Sequence, residues 1–128
     1  MKSVDGRVEQ RLRQESNVWV ATVRPDGRPH LTPVWFAWHA GRLYICIDPN
    51  SVKARNLAHN PHMAMALENG SDPTILEGTG RQLNVADVPA EVVAEFKRKY
   101  DWDIRADRQY RRVIETAPTK VLSWSSAS

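Results

Sequence analysis

A lysine at the start of a short predicted helix is the side chain whose position most clearly suggests chemistry in this sequence. The segment from residue 48 to residue 57 reads DPNSVKARNL and follows an apolar strand. Asn50 or Ser51 can cap the helix, which places Lys53 in its first turn. A cation there is unfavourable by about 0.3–1 kcal/mol unless an anion lies between, and helix N-termini bind phosphate readily. The alternative is that Lys53 and Arg55 simply face water.

Motifs for other kinds of chemistry are absent from the sequence. The one cysteine, Cys46, stands alone and the four histidines are scattered, so no metal-ligand spacing occurs. No nucleotide-binding loop or nucleophile elbow is present. Gly78 and Gly80 are two apart within a predicted strand, which indicates a bulge or the close approach of another backbone or a ligand. No catalytic residue is predicted.

The elements that must hold Lys53 are short strands joined by turns. Strands are predicted over residues 17–24, 29–38, 42–48, 62–68, 74–85 and 118–124, and helices over residues 4–15, 52–59, 90–100 and 101–115. The first three strands are linked by Pro-Asp-Gly and His-Ala-Gly, and such short links require antiparallel pairing. The predicted fold is therefore mainly β, with six strands in an antiparallel barrel-like sheet and helices at its periphery.

Length and composition limit the class of protein. The 128 residues fit one domain, residues 1–128, and a single cysteine is typical of a reducing compartment, so a cytoplasmic protein is expected. No secretory signal is legible, and the longest apolar run, residues 34–38, is far shorter than the about 20 residues of a membrane span. The net charge of +3 is typical of a solvated surface, and the strands do not interleave aromatic with basic residues, so neither a nucleic acid nor a membrane is an expected partner.

Three segments together resemble a known family. They are GRPHLTPVWF at residues 27–36, GRLY at residues 41–44 and SVKARNLAHNP at residues 51–61. In their order and spacing they are similar to the pyridoxamine 5'-phosphate oxidase-like flavoproteins, over about residues 17–83 and more weakly to residue 124. The resemblance implies a split β-barrel that forms a homodimer, with FMN or the deazaflavin coenzyme F420 in a cleft between the two barrels.

The resemblance also implies which residues contact the cofactor. Its ring would lie along Thr32, Pro33, Val34 and Trp35, largely through backbone contacts, its ribityl chain near Ile47 and Asp48, and its phosphate on Ser51 and Lys53. Many relatives place an arginine just before that lysine, where this chain has Val52, and Arg55 is the candidate substitute. Trp124 could close the partner's cleft or merely fix the last strand.

The implied function is hydride transfer between the cofactor and a small substrate. Relatives that oxidise pyridoxamine phosphate carry an Arg-x-His motif after the last strand, whereas this chain ends WSSAS, so that activity is not expected. The alternative is a flavin- or haem-binding protein on the same fold without turnover, for which His30 or His39 could be proposed as a ligand.

Aromatic and basic side chains outside these motifs give two further expectations. Trp35 and Trp38 are three apart on one predicted strand, so one should lie in the core and the other at the cleft or the dimer surface. Arg105, Arg108 and Arg112 are at helical spacing and would form one basic stripe, most simply a solvated one.

Overall fold

The computed structural model describes residues 4–124, which form one antiparallel sheet with helices against it. Its strands are β1 (Val18–Val23), β2 (Pro29–Val34), β3 (Ala37–His39), β4 (Arg42–Ile47), β5 (His62–Leu67), β6 (Thr74–Asn84) and β7 (Arg112–Ser123). Its helices are α1 (Gly6–Gln14), α2 (Val52–His59) and α3 (Ala90–Tyr100), with one turn of 3-10 helix over Val85–Asp87.

The seven strands are ordered β2-β1-β5-β6-β7-β4-β3, and every neighbouring pair is antiparallel. The sheet does not close, so β2 and β3 are its two edges. The mainly β, antiparallel split-barrel prediction is confirmed.

The strand expected over residues 29–38 is divided in two, which gives seven strands where six were expected. β2 ends at Val34 and β3 begins at Ala37. Between them the Phe36 N–H donates to the Tyr100 hydroxyl over 3.0 Å, and the Phe36 carbonyl accepts from Lys99 Nζ over 3.0 Å. Side chains of α3 thus bind the backbone groups that a continuous strand would have paired with a neighbour.

The prediction of a helix over residues 101–115 is wrong. Helix α3 ends at Tyr100, and Asp101 follows in the left-handed region with φ 52°. The carboxylates of Asp103 and Asp107 then accept hydrogen bonds from backbone N–H groups two residues further on, which replaces helical pairing by turns. We call residues 101–111 the aspartate loop. The expected helical arginine stripe is therefore not formed, and β7 begins at Arg112 rather than at residue 118.

Two apolar clusters fill the interior. The larger contains Trp38 and Phe36, both fully buried, with side chains from β1, β4, β5, β6 and α1. The smaller lies under α3, whose Val92 and Phe96 pack with Ile104 of the aspartate loop. Trp38 is 0% exposed whereas Trp35 is 48% exposed, which confirms that these two tryptophans have different environments.

The two glycines of β6 lie where β7 approaches closely. The register shifts between Glu77 and Gly78, which marks a bulge. A Cβ at Gly78 would lie 2.9 Å from the Ala117 carbonyl oxygen, and one at Gly80 would lie 2.8 Å from Cγ2 of Ile114. The expectation of a bulge with close backbone contact is confirmed. Across residues 4–124, no helix has the length and apolar character needed to cross a bilayer.

Candidate functional site

A cleft of about 480 Å³ lies where the ends of β2 and β4 meet α2 and the aspartate loop. Its volume falls within the range of about 300–1,000 Å³ that is usual for small-molecule sites. The residues that line it are Asn17, Pro33, Val34, Trp35, Cys46, Lys53, Trp102, Asp107 and Tyr110. Four of them, Pro33, Val34, Trp35 and Lys53, are residues that the sequence resemblance placed in the site.

Lys53 is the polar group that best indicates a ligand. Its ammonium group is half-buried and donates to Thr32 Oγ1 over 3.0 Å. Burial lowers the pKa of Lys53, which means that the surroundings do not compensate its charge. Among the ion pairs of residues 4–124, none involves Lys53. A half-buried cation without a carboxylate partner favours an anionic ligand in the cleft.

The N-terminus of α2 brings Lys53 into this position. Ser51 is the N-cap, and its Oγ accepts from the Ala54 N–H over 3.2 Å. The first turn contains no acidic residue. Asp48 shapes the preceding turn, because its Oδ1 accepts from the Asn50 N–H over 2.8 Å and its carbonyl accepts from the Ser51 N–H over 3.0 Å. The helix dipole and Lys53 therefore make the same end of the cleft positive.

The free edge of β2 supplies backbone groups beside Lys53. The Arg24 N–H donates to the Arg28 carbonyl, and alternate residues of an antiparallel strand direct their backbone groups to opposite edges. The backbone of Thr32 therefore faces β1, and Thr32 meets Lys53 through its side chain. Leu31 and Pro33 direct their backbone groups to the free edge, where they can contact a ligand.

Aromatic rings form the opposite wall of the cleft. Trp35 stacks on Tyr100, with ring centroids 4.5 Å apart, and meets Trp102 edge to face at 5.8 Å. Trp102 in turn meets Tyr110 edge to face at 6.4 Å. Trp35 and Tyr110 remain 48% and 43% exposed, so this wall combines packed rings with rings open to the cleft.

Two further ionisable groups that line the cleft each favour one protonation state. Hydrogen bonds from the backbone N–H groups of Tyr110 and Gln109 and from the Trp102 indole hold the pKa of Asp107 below its usual range, against the opposing effect of burial. Burial raises the pKa of Cys46 to about 12, so its thiol stays protonated and is a poor nucleophile.

Three residues expected in the site lie elsewhere within one chain. Ile47 is 1% exposed and belongs to the larger core cluster. Arg55 donates to the Asn50 carbonyl over 3.1 Å and faces a separate surface depression with Arg24 and Arg28. Trp124 follows the far end of β7, roughly 35 Å along the strand from the end beside Cys46, at 3.3 Å per residue.

The sequence prediction missed five lining residues: Asn17, Cys46, Trp102, Asp107 and Tyr110. Trp102, Asp107 and Tyr110 were missed because residues 101–115 were interpreted as a polar helix. A signal was present, since three aspartates recur over residues 101–107 and aspartate favours turns that bind backbone N–H groups.

The outward face of the sheet next to the cleft is mainly apolar, and its charged member is Glu77 of β6, which lies opposite Ala64. On β1 and β2, Trp19 lies opposite Pro33 and Ala21 opposite Leu31, and the same face continues onto β5 and β6. We call this set the apolar sheet face: Trp19, Ala21, Leu31, Pro33, Ala64, Ala66 and Ile75. Because a water-facing sheet surface normally carries polar side chains, this face is typical of one that a partner covers.

Comparisons with known proteins agree with the fold. A family model described as pyridoxamine 5'-phosphate oxidase matches residues 4–125. An F420 reductase of known structure is 26% identical, with a TM-score of 0.76 over 93% of this chain and 98% of the other. A conserved hypothetical protein from Mycobacterium tuberculosis is 21% identical, with a TM-score of 0.80 over 98% and 87% of the two chains. HutZ from Vibrio cholerae, described as a haem storage protein, is 15% identical, with a TM-score of 0.77 over 95% of each chain. Curated protein sequences give no significant match.

Proposed function

The chain belongs to the pyridoxamine 5'-phosphate oxidase family, and from that premise we propose that it is an oxidoreductase that uses FMN or coenzyme F420. When bound, such a cofactor carries a hydride to or from a small substrate. The observation that carries the proposal is the half-buried Lys53 ammonium at the N-terminus of α2, which has a hydroxyl partner but no carboxylate among residues 4–124.

The residues of the cleft fit both ends of such a cofactor. Lys53 and the capping residue Ser51 would hold the phosphate, which offsets the charge that Lys53 brings into the protein. The free edge of β2, with the adjoining backbone at Trp35, would hold the polar edge of the ring. Arg55 would contribute little to the phosphate, because it faces away from the cleft.

The protein's own contribution is orientation and the exclusion of water. The ring would lie between the β2 edge and the aromatic wall, in contact with Pro33, Val34 and Trp35. The protonated thiol of Cys46 and the hydrogen-bonded carboxylate of Asp107, whose pKa is lowered, are not poised as a nucleophile or as a base. This agrees with a division in which the cofactor supplies the chemistry. Oxidation of pyridoxamine phosphate itself is not proposed, because the sequence lacks the Arg-x-His motif after the last strand.

A homodimer is the second part of the proposal. Burial of the apolar sheet face by a second copy would remove its apolar side chains from water. Pro33 belongs both to this face and to the cleft lining. A second copy on this face would therefore lie at the border of the cleft and could add residues to its lining. Trp124, which lies far from the cleft within its own chain, could then approach the cleft of the partner.

Haem binding without turnover is the alternative, and one comparison favours it, because HutZ is described as a haem storage protein. The nine residues that line the cleft include no histidine, which makes this alternative the weaker one. His39 lies 3.7 Å from Glu91, outside the lining.

Titration of the purified protein with both cofactors tests the proposal. Quenching of cofactor fluorescence should saturate with FMN, with F420 or with both, and the loaded protein should exchange hydride with a suitable donor or acceptor. Parallel titration with haemin, followed by absorption near 400 nm, tests the alternative. Saturation by haemin alone would refute the oxidoreductase proposal, as would the absence of binding to both FMN and F420.

A further inference from the structure

His30 is a titratable residue close to Lys53 to which the proposed function gives no role. It belongs to β2 and is half-buried. Its Nδ1 atom is buried and has no hydrogen-bond partner among residues 4–124. Most buried side-chain nitrogen atoms in folded proteins have such a partner. A ring nitrogen that lacks a partner next to the proposed phosphate site therefore points to a group whose state changes when a ligand binds.

Two hydrogen bonds that hold α2 on the sheet lie on either side of His30. Asn56 Nδ2 donates to Thr22 Oγ1 over 3.0 Å, and Thr22 lies directly opposite His30 in the β1–β2 register. Lys53 Nζ donates to Thr32 Oγ1 over 3.0 Å. Thr32 follows His30 by two residues, so the two side chains share one face of β2 at a spacing of about 7 Å. His30 thus lies under α2, between the side chains of Asn56 and Lys53.

The charged groups that act on His30 are all basic. Burial is the largest cause that lowers its pKa, and the positive charges of Lys53 and Arg24 lower that pKa further. No carboxylate is among the groups that shift it. Asp26, in the turn between β1 and β2, is bound by the side chain of Arg28 over 2.8 Å. The imidazole of His30 therefore favours its neutral form in the chain without a ligand.

An anion on Lys53 would reverse this balance. It offsets the charge of Lys53, and its own negative charge favours the protonated imidazole. Arg55, the other basic residue on α2, donates to the Asn50 carbonyl and faces a separate depression, so it does not take the place of Lys53. The cluster of Arg24, His30 and Lys53 therefore has one more site for a proton when an anion is bound than when it is not.

We propose that His30 is a proton-linked residue of the phosphate site: a phosphate group bound at Lys53 causes His30 to take up a proton from the solvent, so the protein binds that phosphate more tightly as the pH falls. This inference rests on the proposed function, because that function places the cofactor phosphate on Lys53. His30 acts through charge and touches no reacting atom. A dianionic phosphate monoester, as in FMN, should draw the proton more strongly than a singly charged phosphodiester, as in F420.

NMR titration of the histidine C2–H signals tests the proton uptake directly. The chain contains four histidines, so each signal can be assigned from the variant in which that histidine is replaced by glutamine. The midpoint of the His30 signal should move to higher pH when the native protein is saturated with FMN. The signals of His39, His59 and His62 should titrate alike with and without FMN. An unchanged His30 midpoint would overturn the inference.

Two variants show whether the same proton affects affinity. Dissociation constants for FMN are measured from pH 5.5 to pH 8.5 for the native protein, His30→Gln and His62→Gln. The affinity of the native protein relative to His30→Gln should rise by about three- to tenfold as the pH falls, since a shift of one pH unit gives at most a tenfold change. The phosphate itself titrates near pH 6, which affects all three proteins alike. His62 is exposed on β5, so His62→Gln should follow the native protein. A constant ratio of native to His30→Gln affinity would contradict the proton linkage.

Failure of the proton linkage and failure of the proposed function give different results. If a cofactor binds and the His30 midpoint stays in place, only the linkage is refuted. If FMN and F420 both fail to bind, the proposed function is refuted, and NMR titration with inorganic phosphate in place of FMN still decides the linkage by the movement of the His30 midpoint. If His30→Gln does not fold, the other three variants assign the His30 signal by elimination, and the measurement on the native chain stands.

Discussion

The indole ring of Trp35 lies parallel to the phenol ring of Tyr100, with 4.5 Å between their centroids and 8° between their planes. The Tyr100 hydroxyl also lies 3.0 Å from both the N–H and the carbonyl of Phe36, the residue next to Trp35. The last residue of α3 thus holds both the ring and the backbone of the link between β2 and β3. The position of the cleft's central aromatic residue therefore depends on the C-terminus of α3.

Removal of the Tyr100 hydroxyl tests this dependence. Tyr100→Phe keeps the stacked ring but leaves the Phe36 N–H without its partner, and an unsatisfied buried N–H costs about 1–3 kcal/mol. We expect the free energy of unfolding in urea to fall by that amount. Tyr110→Phe is the control, because the Tyr110 side chain is exposed and water can replace its hydroxyl. Equal stabilities for the two variants would contradict the role given to Tyr100.

The phosphate contact can be tested by comparing two basic residues of one helix. Lys53→Ala should weaken the binding of FMN or F420 by about ten- to a hundredfold, since a charge-assisted hydrogen bond contributes about 1.5–3 kcal/mol. Arg55→Ala should change the affinity by less than about twofold, because Arg55 faces a separate depression. Fluorescence titration of the three proteins gives the dissociation constants. Equal losses of cofactor affinity in the two variants would show that Lys53 makes no specific contact with the phosphate.

The close contact between β6 and β7 predicts that one added methyl group will lower the stability of the protein. A Cβ at Gly78 would lie 2.9 Å from the Ala117 carbonyl oxygen, a backbone atom that cannot move alone. Gly78→Ala should therefore lower the free energy of unfolding by about 1–3 kcal/mol. At Gly70 a Cβ would meet nothing within 4 Å, so Gly70→Ala should be close to neutral. Thermal unfolding followed by circular dichroism compares the two variants.

Lys99 gives the stability a pH dependence with a defined sign. Its ammonium group lies 3.7 Å from the Phe36 ring centroid, and burial, with a smaller effect of Arg98, lowers its pKa from 10.5 to about 8. Between these two values the unfolded chain holds a proton that the folded chain has released, so raising the pH favours the folded state. Relative to Lys99→Met, the native protein should gain stability from pH 8 to pH 10.5. Urea unfolding at four pH values measures the difference, and a constant difference would contradict the shift.

The apolar sheet face predicts that one charged side chain placed on it will dissociate the dimer. Leu31 is 60% exposed, so Leu31→Glu should leave the folded chain intact while it places a carboxylate within the proposed interface. Light scattering after size exclusion should show a dimer for the native protein and a monomer for Leu31→Glu. Ala94→Glu makes the same change at an exposed position of α3 and should remain dimeric. A native monomer would refute the proposed interface.

The sequence predicted those parts of the site that depend on local signals. Helix α2 was predicted with the bounds that it has, because Ser51 and the Asn-Pro pair mark its ends, and the position of Lys53 follows from them. The aspartate loop could not be placed in this way. Its length and arginine content suit a helix, and the turns that replace it depend on Asp103 and Asp107 binding backbone N–H groups next to a core that only the folded chain provides.

The break in the strand at Trp35 was unpredictable for a similar reason. Residues 29–38 have the composition of one continuous strand, and the partners that divide it, Lys99 and Tyr100, lie more than sixty residues away in the sequence. Such long-range contacts determine which aromatic residue faces the cleft. The pattern alone predicted only that Trp35 and Trp38 would differ.

The free edge of β2 has a consequence for how the protein avoids aggregation. An unpaired strand edge is a template on which another chain can add a strand and begin fibril growth. Of the three β2 residues whose backbone faces outward, Pro29 and Pro33 have no N–H, and the Pro29 carbonyl accepts from Arg24 over 2.6 Å. Only Leu31 can both donate and accept there, so a foreign strand cannot form a continuous ladder. The outward carbonyl groups of Leu31 and Pro33 thus remain available to a small ligand, whereas a polypeptide strand cannot pair along the whole edge.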